Sequence, residues 1–194
     1  MLKVRVQGSD FLQFAARIHR EALEAAEIVK KEMAKKGIES NCGVHHMYVT
    51  DRPLDGRRHY HRISAYDRSF IGRVEKDLGD WSRYQNNAHE KALRLMWKHK
   101  THGHLTSRQS ANRDAGEYAG AIIIPGVDHP VLGDNLTFLS SFSGFPEDYD
   151  EMFCYVHAEL LELRTSSETN KTVLDLASRA NANWPFMLIR GMAN

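Results

Sequence analysis

Three stretches of this chain repeat apolar residues every three or four positions, and shorter apolar or alternating runs lie between them. In residues 10–36, Phe11, Ala15, Ile18, Ala22, Ala25, Val29 and Met33 fall on one helical face, the spacing of an amphipathic helix. Asp10 is its expected cap, and Gly37 ends it after a Lys-rich last turn that suits the helix dipole. Residues 80–99 predict a second helix, with Trp81, Tyr84, Ala88, Ala92, Leu95 and Met96 inward and a polar opposite face. Residues 147–164 predict a third, with Met152, Phe153, Val156, Leu160 and Leu163 inward. Pro146 and the acids Glu147 and Asp148 suit its first turn.

The intervening segments change period. Val44, Met47, Tyr48 and Val49 make 41–50 strand-like, and residues 51–56 are rich in turn formers. The run 57–66 is expected to pair back as a hairpin, followed by a loop with a short helical piece over 67–79. Residues 118–125 and 135–143 predict a second antiparallel hairpin across a connector containing Pro130 and Gly133. Residues 100–117 are polar and read as a loop. The segment 166–194 reads as a tail with a weak helix at 170–180 and an apolar end, Trp184 to Ile189, expected to dock on the body or on another subunit. The order helix, hairpin, helix, hairpin, helix favours one α+β domain, an antiparallel sheet flanked by helices, over a parallel α/β fold.

Composition narrows the function classes. The chain has 194 residues, 42% of them hydrophobic, and a formal net charge of +1, enough for one real core and without the basic excess of a nucleic-acid partner. No run of about 18 apolar residues predicts a membrane span. The N-terminal segment lacks the apolar region of a secretion signal, so a cytoplasmic location is expected. Cys42 and Cys154 are then expected to be free thiols. The 11 histidines are the most informative feature, since imidazole titrates near neutrality and ligates metals.

His59 and His61 lie two apart on a predicted strand, hence on one face; they are a candidate metal pair or a solvent-facing pair. His45 and His46 are adjacent and must face opposite sides of a sheet, so that one of them, taken here as His46, can meet a ligand. His99, His102 and His104 cluster with Lys98 and Lys100, and they would grip a metal only if the chain folds back around them. Without a Cys or acidic neighbour to complete a zinc set, a basic loop touching an anion is the competing reading. His89 and Lys91 on the second helix are candidates for meeting a ligand carboxylate, and Lys91 is equally a surface lysine with a buried stem. Ser143 and Gly144 precede a helix start, where backbone N–H groups attract anions, or Gly144 simply supplies a turn. No nucleophile triad, phosphate loop or dinucleotide fingerprint is present.

Several short motifs fall in order on these elements: Ala88-His-Glu-Lys91-Ala92, Gly120-Ala-Ile-Ile-Ile-Pro125, Ser143-Gly144, and Asp150-Glu151 soon after. Together they resemble the GlcG/HbpS-like (haem-degrading domain) family over about residues 10–165. The resemblance implies a profilin-like antiparallel β-sheet of about five strands flanked by helices, over residues 1–165. It implies a small-molecule-binding homo-oligomer of accessory or sensory role, with haem among the candidate ligands, a histidine as its axial ligand and Lys91 or Arg83 meeting the propionates. The alternative is an enzyme, a lyase, isomerase or hydrolase, using His and Asp/Glu acid–base chemistry in the same pocket, with or without a metal. A purely structural accessory protein is a third reading.

Overall fold

The computed structural model describes residues 8–40, 42–50, 65–72, 78–130 and 132–163. The elements are α1 (Gly8–Ala34), β1 (Gly43–Thr50), β2 (Ala65–Ile71), α2 (Leu78–His102), β3 (Ala121–His129), β4 (Gly133–Ser143) and α3 (Glu147–Leu160). Two 3₁₀ turns, Ser107–Ser110 and Arg113–Ala115, separate α2 from β3. The strands form one antiparallel sheet in the order β2-β1-β4-β3. Helices α1 and α3 pack on one face and α2 on the other. The α+β class holds; four strands are present among the described residues, against about five expected. The segments holding His59, His61 and the tail from 164 onward lie outside the described residues.

Alternation along the strands builds two cores. Met47 and Val49 of β1, Ile122 and Ile124 of β3, and Phe138 and Phe142 of β4 face α1 and α3. Tyr48, Ala121, Ile123 and Leu139 face Ala92, Leu95 and Met96 of α2. A sheet covered on both faces needs apolar residues at successive positions, which is why the 118–143 hairpin is so evident in the sequence. Helix α1 buries Phe14, Ile18, Ala22, Ala25, Ala26, Val29 and Met33. Its stripe thus includes Phe14 where the periodicity suggested Ala15, which is half-buried. It ends at Gly37, whose φ of +69° permits the reversal.

Two boundaries differ from expectation. Strand β1 pairs with Ala65–Ile71, with Val44 opposite Phe70 and Met47 opposite Asp67, so the strand runs on into the segment read as a loop, while 57–64 of the expected run lie outside the described residues. Among the described residues this strand lies at the sheet edge with β1 as its neighbour, so exposed Arg68 is tolerated, and buried Ser69 is answered by His19 Nδ1 at 3.1 Å; such polar residues mask the strand pattern. Strand β3 also continues past Pro125 to His129 through irregular pairing at Val127.

Helix α3 is buried on every side from Tyr149 to Ala158, so its charged residues must be paired internally. Asp150 Oδ2 lies 2.6 Å from Lys91 Nζ of α2, and the two side chains are 4% and 2% exposed. Lys91 also donates to Phe142 O at 3.0 Å, and Asp150 Oδ1 accepts from Phe145 N–H at 2.8 Å. Gly120 makes room for the pair: a Cβ there would lie 2.7 Å from Asp150 Cβ and 2.9 Å from Lys91 Nζ, at a φ of +123°.

Removing one member leaves a buried charge unanswered, so Lys91→Ala should lower unfolding stability by about 3–5 kcal/mol. Lys91→Met combined with Asp150→Leu should recover most of that loss. Urea titrations of the three proteins decide it, and equal midpoints for wild type and Lys91→Ala would remove the pair from the account.

Candidate functional site

Strand β1 is where histidine chemistry concentrates, and the pleat divides it. His46 and Tyr48 project towards α2, while His45 projects towards α3, its ring 5.2 Å from that of Phe153 and 4.5 Å from that of His157. On the α2 side, the Tyr48 hydroxyl lies 3.1 Å from His46 Nδ1 and 2.8 Å from His89 Nδ1. A tyrosine hydroxyl thus bridges two imidazoles, one on the sheet and one on the helix. His46 is 2% exposed and Tyr48 7%; His89 is half-buried. Burial, reinforced by His89 and Arg68, holds His46 down to about 4, so its ring is neutral near pH 7.

The surroundings of this chain are aromatic and cationic. Phe70 of the edge strand and Trp81 of α2 meet edge to face, with ring centroids 5.0 Å apart. Phe70 remains 43% exposed, and the Arg68 guanidinium lies 5.0 Å from its ring centroid. Arg68 stands opposite His46 in the β1–β2 register, and Ser141 stands opposite it on β4. The Ser141 hydroxyl is buried without a hydrogen-bond partner among the described residues. A half-buried imidazole, with exposed Phe70, half-buried Trp81 and an arginine on the same side of the sheet, can accept a planar ligand carrying acidic groups.

Of the residues singled out in the sequence, His46 and His89 come together here. Arg83 is on the exposed surface of α2 with its guanidinium 5.1 Å from the Tyr84 ring centroid. Lys91 leaves the site, because its ammonium is taken up by Asp150 and Phe142 O. The anion site expected at Ser143-Gly144 is likewise filled from within: Asp150 accepts from both the Gly144 and Phe145 N–H groups. Gly144, at φ +151°, also passes so close to the Cys42 and Gly43 backbone that a Cβ would collide with it. Tyr48 and Arg68 were not singled out, and Asp150 entered only as part of the Asp150-Glu151 motif, not as a site residue. Two-residue spacing from His46 marks Tyr48 as a same-face neighbour on β1, but Asp150 reads like an ordinary dipole-matching acid of a first helical turn.

The remaining charges at the start of α3 hold the connector between α2 and β3. Arg108 pairs with Glu151 and with Asp148, and Arg113 pairs with Glu147. Glu147 also accepts the Ala119 N–H at 2.8 Å. From α2, Arg94 donates to Ser107 O and Ser110 O, each at 3.1 Å, and to Tyr118 O. The 100–117 segment, which looks unpatterned, is therefore fixed by side-chain donors to its carbonyls. Both cysteines are free, and burial pushes the Cys154 thiol far up, which leaves it inert.

A scan against protein-family models and searches of curated proteins and of solved structures returned no match for this chain. The functional reading therefore rests on the residues themselves.

His157 gives the fold a measurable pH dependence. Its Nε2–H donates to Ile18 O at 3.0 Å, and Nδ1 has no partner among the described residues. Burial holds the ring down to about 4, against an ordinary 6.5. Between those pH values the unfolded chain binds a proton that the folded chain refuses. The stabilisation is complete above about pH 6.5 and declines as the medium is acidified towards 4. His157→Gln should flatten this dependence by up to about 1.4 kcal/mol per pH unit. Urea unfolding of both proteins between pH 4.5 and 7.5 tests it, and parallel curves would contradict the assignment.

Proposed function

We propose that the protein is a small-molecule-binding protein of the GlcG/HbpS-like type, its sheet and helices forming a profilin-like domain. The ligand is planar and carries carboxylates, haem being the representative case. The observation that carries this reading is the His46–Tyr48–His89 chain, placed beside exposed Phe70 and Arg68. In the reading favoured here, neutral His46 accepts from the Tyr48 hydroxyl, whose oxygen accepts from His89 Nδ1–H. That leaves the lone pair of His89 on Nε2, the arrangement in which a second partner orients a metal-binding imidazole. Phe70 and Trp81 offer the ring contact, and Arg68 and Arg83 offer charge for the carboxylates. The bound iron would supply redox chemistry or sensing; His89 would offer it a nitrogen oriented by Tyr48, and the arginines would meet the acidic groups.

An acid–base enzyme in the same place is the second reading, prompted by the same hydroxyl bridge. Two observations set it behind binding. His46, held near 4, is too weak a base for efficient proton abstraction at pH 7, and the buried carboxylates Asp150 and Glu151 are engaged by Lys91 and Arg108. A reducing cytoplasm suits the free thiols, and a homo-oligomer would suit an open ligand face.

Haemin titration of the purified protein tests the proposal. A saturable one-to-one Soret shift is expected, lost in His89→Ala and weakened roughly tenfold or more in Tyr48→Phe. A linear, non-saturating response in the wild type, or full affinity in His89→Ala, would overturn it.

A further inference from the structure

The end of α2 gathers three imidazoles that the proposed ligand site does not use. His99 and His102 lie in its last turn. Gly103 follows at φ +69°, and its N–H closes on His99 O at 2.8 Å, a left-handed helix stop that glycine makes without strain. This reversal is the fold-back that the sequence alone left open. It sets His104 beside His102, with ring centroids 5.4 Å apart.

Hydrogen bonding determines which nitrogens are available. His99 Nδ1 lies 2.8 Å from His104 O, and a carbonyl only accepts, so Nδ1 carries the proton and Nε2 the lone pair of the neutral ring. Thr101 Oγ1 donates to Trp97 O at 2.9 Å, so its single hydrogen is committed. His102 Nδ1, 2.6 Å from that same oxygen, must therefore be the donor, and the neutral ring keeps its lone pair on Nε2. Anchoring one ring nitrogen in this way is how protein scaffolds orient imidazoles towards metal.

The spacing is also right for shared ligation. Metal–nitrogen bonds of about 2.1 Å put each ring centroid roughly 3.2 Å from the ion, so two rings in a tetrahedral shell lie about 5 Å apart. Among the described residues no set of three His, Cys, Asp or Glu side chains is arranged to hold a metal ion, so two protein ligands leave the rest of the shell to water. Lys98 and Lys100 lie beside the turn in sequence, and among the described residues no carboxylate joins the pair, which disfavours calcium and magnesium and leaves the imidazole-preferring ions.

We propose that His102 and His104 form an open surface site for a divalent transition metal of the zinc, nickel and copper class. His99 acts as a positioning residue that holds the His104 backbone. The site is separate from the His46–Tyr48–His89 chain and stands whether or not that chain binds haem.

The test is a zinc chloride titration of the untagged full-length protein at pH 7.5 against a chromophoric competing chelator, followed in parallel by histidine ring ¹⁵N spectra. One ion per chain is expected, with the Nε2 signals of His102 and His104 moving. His102→Gln and His104→Gln should each weaken binding roughly tenfold or more, and acidification should release the ion as protons compete for the rings. Both side chains are outside the core, so these variants should keep the wild-type circular dichroism. Zinc bound with unchanged affinity by the double variant, or by no variant and no wild type, would overturn the proposal. So would a loss confined to His59→Gln/His61→Gln, which would place the ion on the other histidine pair.

Discussion

Lys91 and Asp150 are charged, almost wholly buried and drawn from opposite sides of the sheet, so each is tolerable only while the other remains in place. That requirement ties α2, the end of β4, the turn at 144–146 and the first turn of α3 into one geometry. Phe142 contributes a carbonyl, Phe145 an N–H, and Gly120 the absence of a side chain. Burial pushes Asp150 up to about 6 despite the lysine and the two N–H donors, because this interior opposes charge. The neighbouring pairs, Arg108 with Glu151 and Arg113 with Glu147, extend the same principle outward to the connector that joins α2 to β3.

With α2 held at its middle by Lys91, its two ends serve different chemistry. The preceding half brings His89 onto Tyr48 and Trp81 onto Phe70. The far end reverses at Gly103 and collects His99, His102 and His104. The histidines accordingly fall into distinct environments. His45 and His157 are fully buried against each other on the α3 side, His46 and His89 share a hydroxyl on the α2 side, and the terminal trio meets solvent. Neutrality is imposed on the buried ones by desolvation, and for them protonation competes with folding.

Much of this was legible in advance. The three helices lie within a few residues of their expected limits, and the 118–143 hairpin forms across the expected turn, because periodic burial leaves a periodic apolar pattern. The opposite orientations of His45 and His46 follow from the pleat alone. Strand β2 was less visible because an edge strand covered on part of one face can be built from Tyr66, Asp67, Arg68 and Ser69. Lys91 was read as a ligand contact and is an internal cation, since nothing in a linear pattern reveals that a carboxylate 59 residues away will be buried beside it.

The sequence by itself determined the α+β class, the three helices that flank the sheet among the described residues, the second hairpin and the placing of imidazoles on both sides of β1. Those properties follow from short-range periodicity and from the identity of adjacent residues. Only the tertiary structure decided that Lys91 and the Ser143-Gly144 turn serve Asp150, that Tyr48 links His46 to His89, and that Gly103 returns His104 to His102. Each of these depends on distance and direction between atoms of different elements, and a buried polar group acquires its role from whichever partner the packing brings within hydrogen-bond reach.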